Sequence, residues 1–182
     1  MENVLKSTDN IHILAEETDL TLSIKNRLFD NCYGQVNLPD GEVATAPIED
    51  SVNGHILFTY PFYNDGKQID RIRLTFRDGK AVKATALTNE DYLNKMLDVD
   101  DGARYLGEIG FGTNYRIPQF LGNLLFDEKL GGTLHLALGN AYPSEGGKNV
   151  SAIHWDIVLD LRKDAEVYTD GKLFIKDGKF IF

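Results

Sequence analysis

Basic residues are few in this chain: 19 Lys and Arg stand against 28 Asp and Glu, giving a formal net charge of −9. A nucleic-acid partner is read by a basic patch, and here the cations are scattered, which argues against that class. An acidic balance serves solubility and would also suit a site that attracts cations. Cysteine is nearly absent. The one copy, Cys32, excludes an internal disulfide and a thiolate zinc cluster, and the simplest setting is reducing and cytoplasmic. Beside Tyr33 and Gly34, with no obvious partner, Cys32 reads as a buried structural thiol rather than a nucleophile. Long apolar runs are missing too. The hydrophobic stretches are short and interrupted by charge, so no membrane-spanning helix is expected. The start, Met1-Glu-Asn-Val-Leu-Lys, lacks the basic residues and apolar stretch of a signal peptide. No linker, repeat or low-complexity segment divides residues 1–182, which read as a single domain.

What is present is turn chemistry. Asp40-Gly41, Asp65-Gly66, Asp78-Gly79, Asp101-Gly102, Asp170-Gly171 and Asp177-Gly178 punctuate apolar segments, and such pairs favour tight turns because both residues tolerate positive φ. Leu20, Leu22 and Ile24 alternate with polar residues, as do Ile72, Leu74 and Phe76, the pattern of half-buried strands. The tail from Glu166 to Phe182 reads as three short strands joined by two turns. Helix is expected only in the middle: from Asn89 to about Leu97, capped by Thr88, then a short one over Ala103–Gly107, and a third over Arg116–Leu125 with Pro118 in its first turn or outside it. The expected fold class is α+β: a large, mostly antiparallel or mixed sheet or barrel-like domain with two or three short helices.

Only four histidines occur, so each can be weighed. In Ser151-Ala-Ile-His-Trp-Asp156, a strand places His154 and Asp156 on one face, a usable ligand pair for zinc and similar ions. His135 lies in Gly131-Gly-Thr-Leu-His-Leu-Ala-Leu-Gly139, opposite the face of Leu134, Leu136 and Leu138, where a satisfied polar residue is the blander reading. His12 and His55 have no comparable acidic neighbour on their strands and read as structural. Glu42 follows the turn Asn37-Leu-Pro-Asp-Gly41 at the start of a strand. Glu108 lies among the glycines of Gly107-Glu-Ile-Gly-Phe-Gly112, which leave its carboxylate accessible. Glycine spacing and the lack of a Walker lysine exclude a phosphate loop there. Glu49-Asp50 and Asp127-Glu128 read as surface or turn acids. Tyr142, close after the His135 strand, could offer a hydroxyl to a metal or an oxyanion.

Taken in order, Asn37-Leu-Pro-Asp-Gly-Glu-Val43, Ala46-Pro-Ile-Glu-Asp-Ser-Val-Asn-Gly54, Gly107-Glu-Ile-Gly-Phe-Gly-Thr-Asn114, Gly131–Gly139 and Ser151–Asp156 resemble the thermophilic aminopeptidase family, dimeric metallopeptidases of the aminopeptidase T and aminopeptidase S type. The resemblance covers nearly the whole chain. It implies two divalent metal ions (cobalt, zinc or magnesium) held by Glu42, Glu108, His135, His154 and Asp156, with Tyr142 at the same site as a ligand or catalytic hydroxyl. It implies peptide substrates, removal of N-terminal amino acids by a two-metal-activated water, and a homodimer in the full-length form. The family carries a further α/β portion before these motifs, so this chain is expected to correspond to the C-terminal, metal-bearing part. The alternative is a non-catalytic domain that binds metal or peptide or serves assembly. The two differ in geometry: the catalytic reading requires the five ligand side chains to converge.

Overall fold

A computed structural model describes residues 1–35 and 37–181, so Phe182 of the expected last strand lies outside the described residues. The strands are β1 (Asn10–Ala15), β2 (Thr18–Ser23), β3 (Asp30–Cys32), β4 (Glu42–Thr45), β5 (Asn53–Leu57), β6 (Phe62–Asn64), β7 (Lys67–Ile69), β8 (Arg73–Arg77), β9 (Lys80–Thr85), β10 (Leu106–Gly112), β11 (Thr133–Gly139), β12 (His154–Asp160), β13 (Glu166–Thr169), β14 (Lys172–Lys176) and β15 (Lys179–Phe180). They form an eight-stranded sheet in the order β15-β14-β13-β1-β2-β5-β8-β9, a five-stranded sheet in the order β12-β11-β10-β4-β3, and the hairpin β6-β7. Paired strands in all three run antiparallel. The tail supplies β13, β14 and β15, and Asp170 and Asp177 adopt positive φ in the intervening Asp-Gly turns. The fold is α+β, and the two larger sheets stay open rather than closing into a barrel.

One hydrophobic core lies between the two larger sheets. Leu20, Leu22, Ile24, Ile72, Leu74 and Phe76 are buried from one side, and Ile109, Phe111, Leu134, Leu136, Leu138, Ile157 and Leu159 from the other. Phe111 of β10 meets Phe174 of β14 edge to face, with ring centroids 6.0 Å apart. Because strand side chains alternate, filling this core with every second residue of β10, β11 and β12 commits the intervening residues to the opposite face. Trp155 falls on the core side, its ring 4.9 Å from that of Phe62; truncating such a side chain costs about 3–5 kcal/mol.

The helices are α1 (Glu2–Lys6), α2 (Glu90–Leu97) and α3 (Leu124–Asp127). The expected helix after Asn89 is α2, but Thr88 does not cap it. Its hydroxyl is held by Gln68 and Asp70, and Asn89 occupies the cap position in a left-handed conformation. Ala103–Gly107 is not helical. The Arg104 carbonyl accepts the Ala81 N–H and the Tyr105 carbonyl accepts the Gly139 N–H, so neighbouring strands use the groups a helix would need. The third expected helix shrinks to α3. Gly122 has φ of +71°, and the Asp127 carboxylate takes the N–H groups of Leu121 and Asn123, which fixes a loop instead. The short α1, anchored by buried Leu5, was not expected from the sequence. Among the described residues no helix is long and apolar enough to cross a membrane.

Candidate metal centre

The face of the five-stranded sheet turned away from the core carries the polar residues. Register sets their spacing. Glu108, Ala137 and Asp156 lie side by side across β10, β11 and β12; Ala44, Gly110, His135 and Val158 form the adjacent row; Gly112 pairs with Glu42, and Gly139 with His154. Bulky ligand side chains therefore alternate with alanine and glycine, and lean over the small residues toward one another. A Cβ on Gly110 would sit 2.2 Å from Cε1 and Nε2 of His135, so the imidazole lies directly on a glycine that must stay bare.

The result is two groups that share Glu108. His135 Nε2 is 3.1 Å from Glu108 Oε1 and 3.7 Å from Glu42 Oε2. His154 Nε2 is 3.4 Å from Glu108 Oε2 and 3.4 Å from Asp156 Oδ1. Within each group, Glu42–Glu108–His135 and Glu108–His154–Asp156, one ligand atom per residue lies within 4.8 Å of the others. The His154 Nδ1–H donates to the Asn140 carbonyl at 2.7 Å, which leaves Nε2 as the nitrogen facing the carboxylates. Asp156 Oδ1 is buried with no hydrogen-bond partner. The Tyr142 ring, half-exposed at the start of a 3₁₀ turn over Pro143–Glu145, packs 4.7 Å from the His154 ring.

A family model described as thermophilic metalloprotease (M29) matches residues 1–180. The chain belongs to the M29 family. It is 37% identical over 160 residues to aminopeptidase 2 of Geobacillus stearothermophilus, covering 79% of this chain and 37% of that protein. To aminopeptidase T of Thermus aquaticus it is 33% identical over 158 residues, covering 78% of this chain and 37% of the relative. Wild-type AmpT from Thermus thermophilus superposes with a TM-score of 0.86 at 27% identity, over 98% of this chain and 51% of that chain. A 2,5-dihydroxypyridine dioxygenase from Pseudomonas putida KT2440 shares the fold, with a TM-score of 0.83, 20% identity and 99% of this chain against 57% of that one. This M29 chain thus spans less than two-fifths of the length of the curated relatives it matches.

Burial and close opposite charges compete in this M29 site. Burial pushes the Glu42 carboxyl upward, against the pull of His135. Burial would also raise Glu108, but hydrogen bonds from His135 and His154 hold it low, at about 2. Burial works against charge on both imidazoles, yet Glu108 acting on His135, and Asp156 and Glu108 acting on His154, push both well above the ordinary histidine range. The imidazoles are therefore the counter-ions of the carboxylates until a cation takes that place, and binding one must expel their protons.

Sequence reasoning missed three buried ionisable residues around the cluster. Lys129 is fully buried, with Nζ 3.5 Å from Glu42 Oε1 and in direct contact with Glu128. Glu145, in the 3₁₀ turn, is buried with Oε2 unpartnered. Asp127, expected as a surface or turn acid, fixes a turn but is buried, accepting two N–H groups at 2.6 Å each. Only the adjacent acidic pair Asp127-Glu128 hinted at Lys129, and nothing local marks a lysine as buried. The expected accessibility of Glu108 is also corrected: its carboxylate is buried between two imidazoles. Cys32, expected buried, is half-buried beside its register partner Glu42; burial and then the Glu42 and Asp40 charges push the thiol to about 12, so it stays protonated. His12 and His55 lie on the eight-stranded sheet, away from the cluster, although His12 does find an acid, Asp19 on β2, at 2.8 Å.

Proposed function

We propose that this chain is the metal-bearing catalytic domain of an aminopeptidase. In this reading Glu42, Glu108 and His135 would hold one divalent ion, and Glu108, His154 and Asp156 a second. The observation that carries it is the pair of three-residue groups sharing Glu108. Three carboxylates on one buried patch are costly without compensating cations. Asp156 Oδ1 is buried without a hydrogen bond, with His154 Nε2 at 3.4 Å, which suits a ligand atom. Imidazole and carboxylate donors together suit zinc or cobalt better than magnesium, which prefers oxygen ligands throughout.

When bound, such ions would lower the pKa of a coordinated water and polarise a peptide carbonyl. The chain's own residues do the rest. The Asn140 carbonyl fixes the His154 ring and directs Nε2 inward. Burial raises the Tyr142 phenol, so its hydroxyl stays protonated and can donate a hydrogen bond to a developing oxyanion. Gly110 keeps His135 seated against Glu108. Peptide substrates belong to the same proposal, since the matched relatives are aminopeptidases; a homodimer rests on the family resemblance alone.

The test combines metal analysis with hydrolysis of amino-acid p-nitroanilides, for the protein and a His154→Ala variant, after supplying zinc or cobalt. Two metals per chain and turnover are expected, with the variant retaining at most one metal and losing at least about a hundredfold in rate. Absence of stoichiometric metal from both proteins would sink the proposal. Full metal occupancy without turnover of any substrate would favour the non-catalytic alternative.

A further inference from the structure

We propose that Asn149 and Asp100 are positioning residues that seat the His154 ring and fix which of its nitrogens faces the metal centre; this deepens the aminopeptidase reading above and rests on it. The two imidazoles of the cluster are held in different ways. Among the described residues His135 Nδ1 is buried with no hydrogen-bond partner, whereas His154 Nδ1–H donates to the Asn140 carbonyl at 2.7 Å. That carbonyl is where the two residues act.

His154 opens β12 opposite Gly139, the last residue of β11, so the regular ladder ends where the ring must be aimed. Asn149 takes over there. Its side-chain amide donates to the Gly139 carbonyl at 2.6 Å and to the Gly102 carbonyl at 2.9 Å. Both donors of the amide are thereby spent, one of them on the peptide group that leads into Asn140. Asp100 grips the segment that enters β12. Its Oδ2 accepts the Ala152 N–H at 2.7 Å and the Ser151 hydroxyl at 3.1 Å, and its Oδ1 accepts the Gly102 N–H at 2.9 Å. Gly102 is therefore held from both sides, its N–H by Asp100 and its carbonyl by Asn149. Space is as tight as the bonding: a Cβ on Gly102 would lie 2.0 Å from the Val150 carbonyl oxygen. A Cβ on Gly107, next to Glu108, would lie 2.1 Å from the Asn140 carbonyl oxygen, which leaves that oxygen little room to turn away.

The physical role is that of an outer support. A carbonyl that takes a ring N–H fixes the tautomer and rotation of a ligand imidazole, and disturbing such supports weakens metal binding by about 10–100-fold. Asn149 and Asp100 set where that carbonyl points, so their effect falls on the group Glu108–His154–Asp156. The group Glu42–Glu108–His135 is seated instead by Gly110 beneath His135. Loss of the support is therefore expected to be selective for one metal position.

Asn149→Asp keeps the shape but sets a carboxylate oxygen against two carbonyls, and Asp100→Asn turns one acceptor into a donor facing N–H groups. Zinc binding is followed by isothermal titration, and the His154 ring N–H by nuclear magnetic resonance of the metal-free chain. Hydrolysis of leucine p-nitroanilide is measured in parallel. A His154→Ala variant assigns both the ring signal and the zinc step that belongs to it. In Asn149→Asp that step should weaken about 10–100-fold, with the other step within about twofold, and the ring N–H should exchange with water at least about tenfold faster. Turnover lost at limiting zinc should return at excess zinc, because the residue acts through the metal. Should Asn149→Asp fail to fold, Asp100→Asn, on a partly exposed loop, carries the same expectations. Equal weakening of both zinc steps, or an unchanged ring signal in the variants, would overturn the positioning role and leave the aminopeptidase reading standing on turnover by the parent. A parent that binds zinc but hydrolyses no substrate would overturn that reading while the ring signal still upheld the support of His154.

Discussion

Glu145 shows how much a single carboxyl can hold against its own burial. It is buried with one oxygen unpartnered, and burial, followed by the charges of Glu108 and Asp30, pushes it from 4.5 to about 9. The folded chain therefore binds this proton more tightly than the unfolded one. Its stabilising contribution is complete below about pH 4.5 and is lost as pH rises through about 9. Glu145→Gln keeps the shape and removes the titration. Measured by urea unfolding without added metal, the variant should match the parent near pH 4 and exceed it by about 2 kcal/mol or more at pH 8, since each tenfold difference in proton affinity between the folded and unfolded chain is worth about 1.4 kcal/mol. A constant difference across that range would show that the carboxyl is not strained by its site. The neighbouring Lys129 acts in the opposite sense: Glu128 and Glu42 keep its buried ammonium charged, and it partly offsets the Glu42 carboxylate.

Pairs of strands, rather than single residues, set the distances in the cluster. Glu108 and His135 come from β10 and β11, and they meet because Gly110 is the register partner of His135. Gly110→Ala should displace the imidazole, since the added methyl would lie 2.2 Å from its Cε1 and Nε2. Isothermal titration with zinc is expected to show metal affinity falling about 10–100-fold, the range found when the support of a ligand is disturbed, with far-ultraviolet circular dichroism unchanged. Unaltered affinity would mean that His135 is not held by this contact. At this scale the strand reading of the sequence was sound: alternation along β11 and β12 correctly put His135, His154 and Asp156 opposite the leucines and Trp155. The helical readings were weaker. Residues 103–107 and 116–125 have acceptable helix composition, but their backbone groups are claimed by distant strands and by Asp127.

For the whole molecule, the cluster ties ligands from four strands of one sheet, so a bound cation favours the folded chain over the unfolded one. At a free zinc concentration a hundredfold above Kd the gain is about 2.7 kcal/mol per site. For a domain of this size that corresponds to a rise in Tm of roughly 5–10 °C. Differential scanning calorimetry with zinc, then with excess chelator, should show the rise and its reversal. A Tm indifferent to both would argue against a site formed in the folded state. The net charge of −9 acts over the same scale, drawing divalent cations toward a face whose buried groups include Glu42, Glu108, Asp156 and Glu145.

By itself the sequence determined which chemical groups could act and which face of each strand they would occupy, because alternation is a local property with a period of two residues. The Asp-Gly turns likewise follow from local φ preferences, and the ordered motifs carried the family. Tertiary structure alone decided that Glu108 stands between two imidazoles and that Lys129, Asp127 and Glu145 are buried around the cluster. Those outcomes depend on the register of strands far apart in the chain and on which loops cover the sheet, and neither is encoded in the spacing of neighbouring residues.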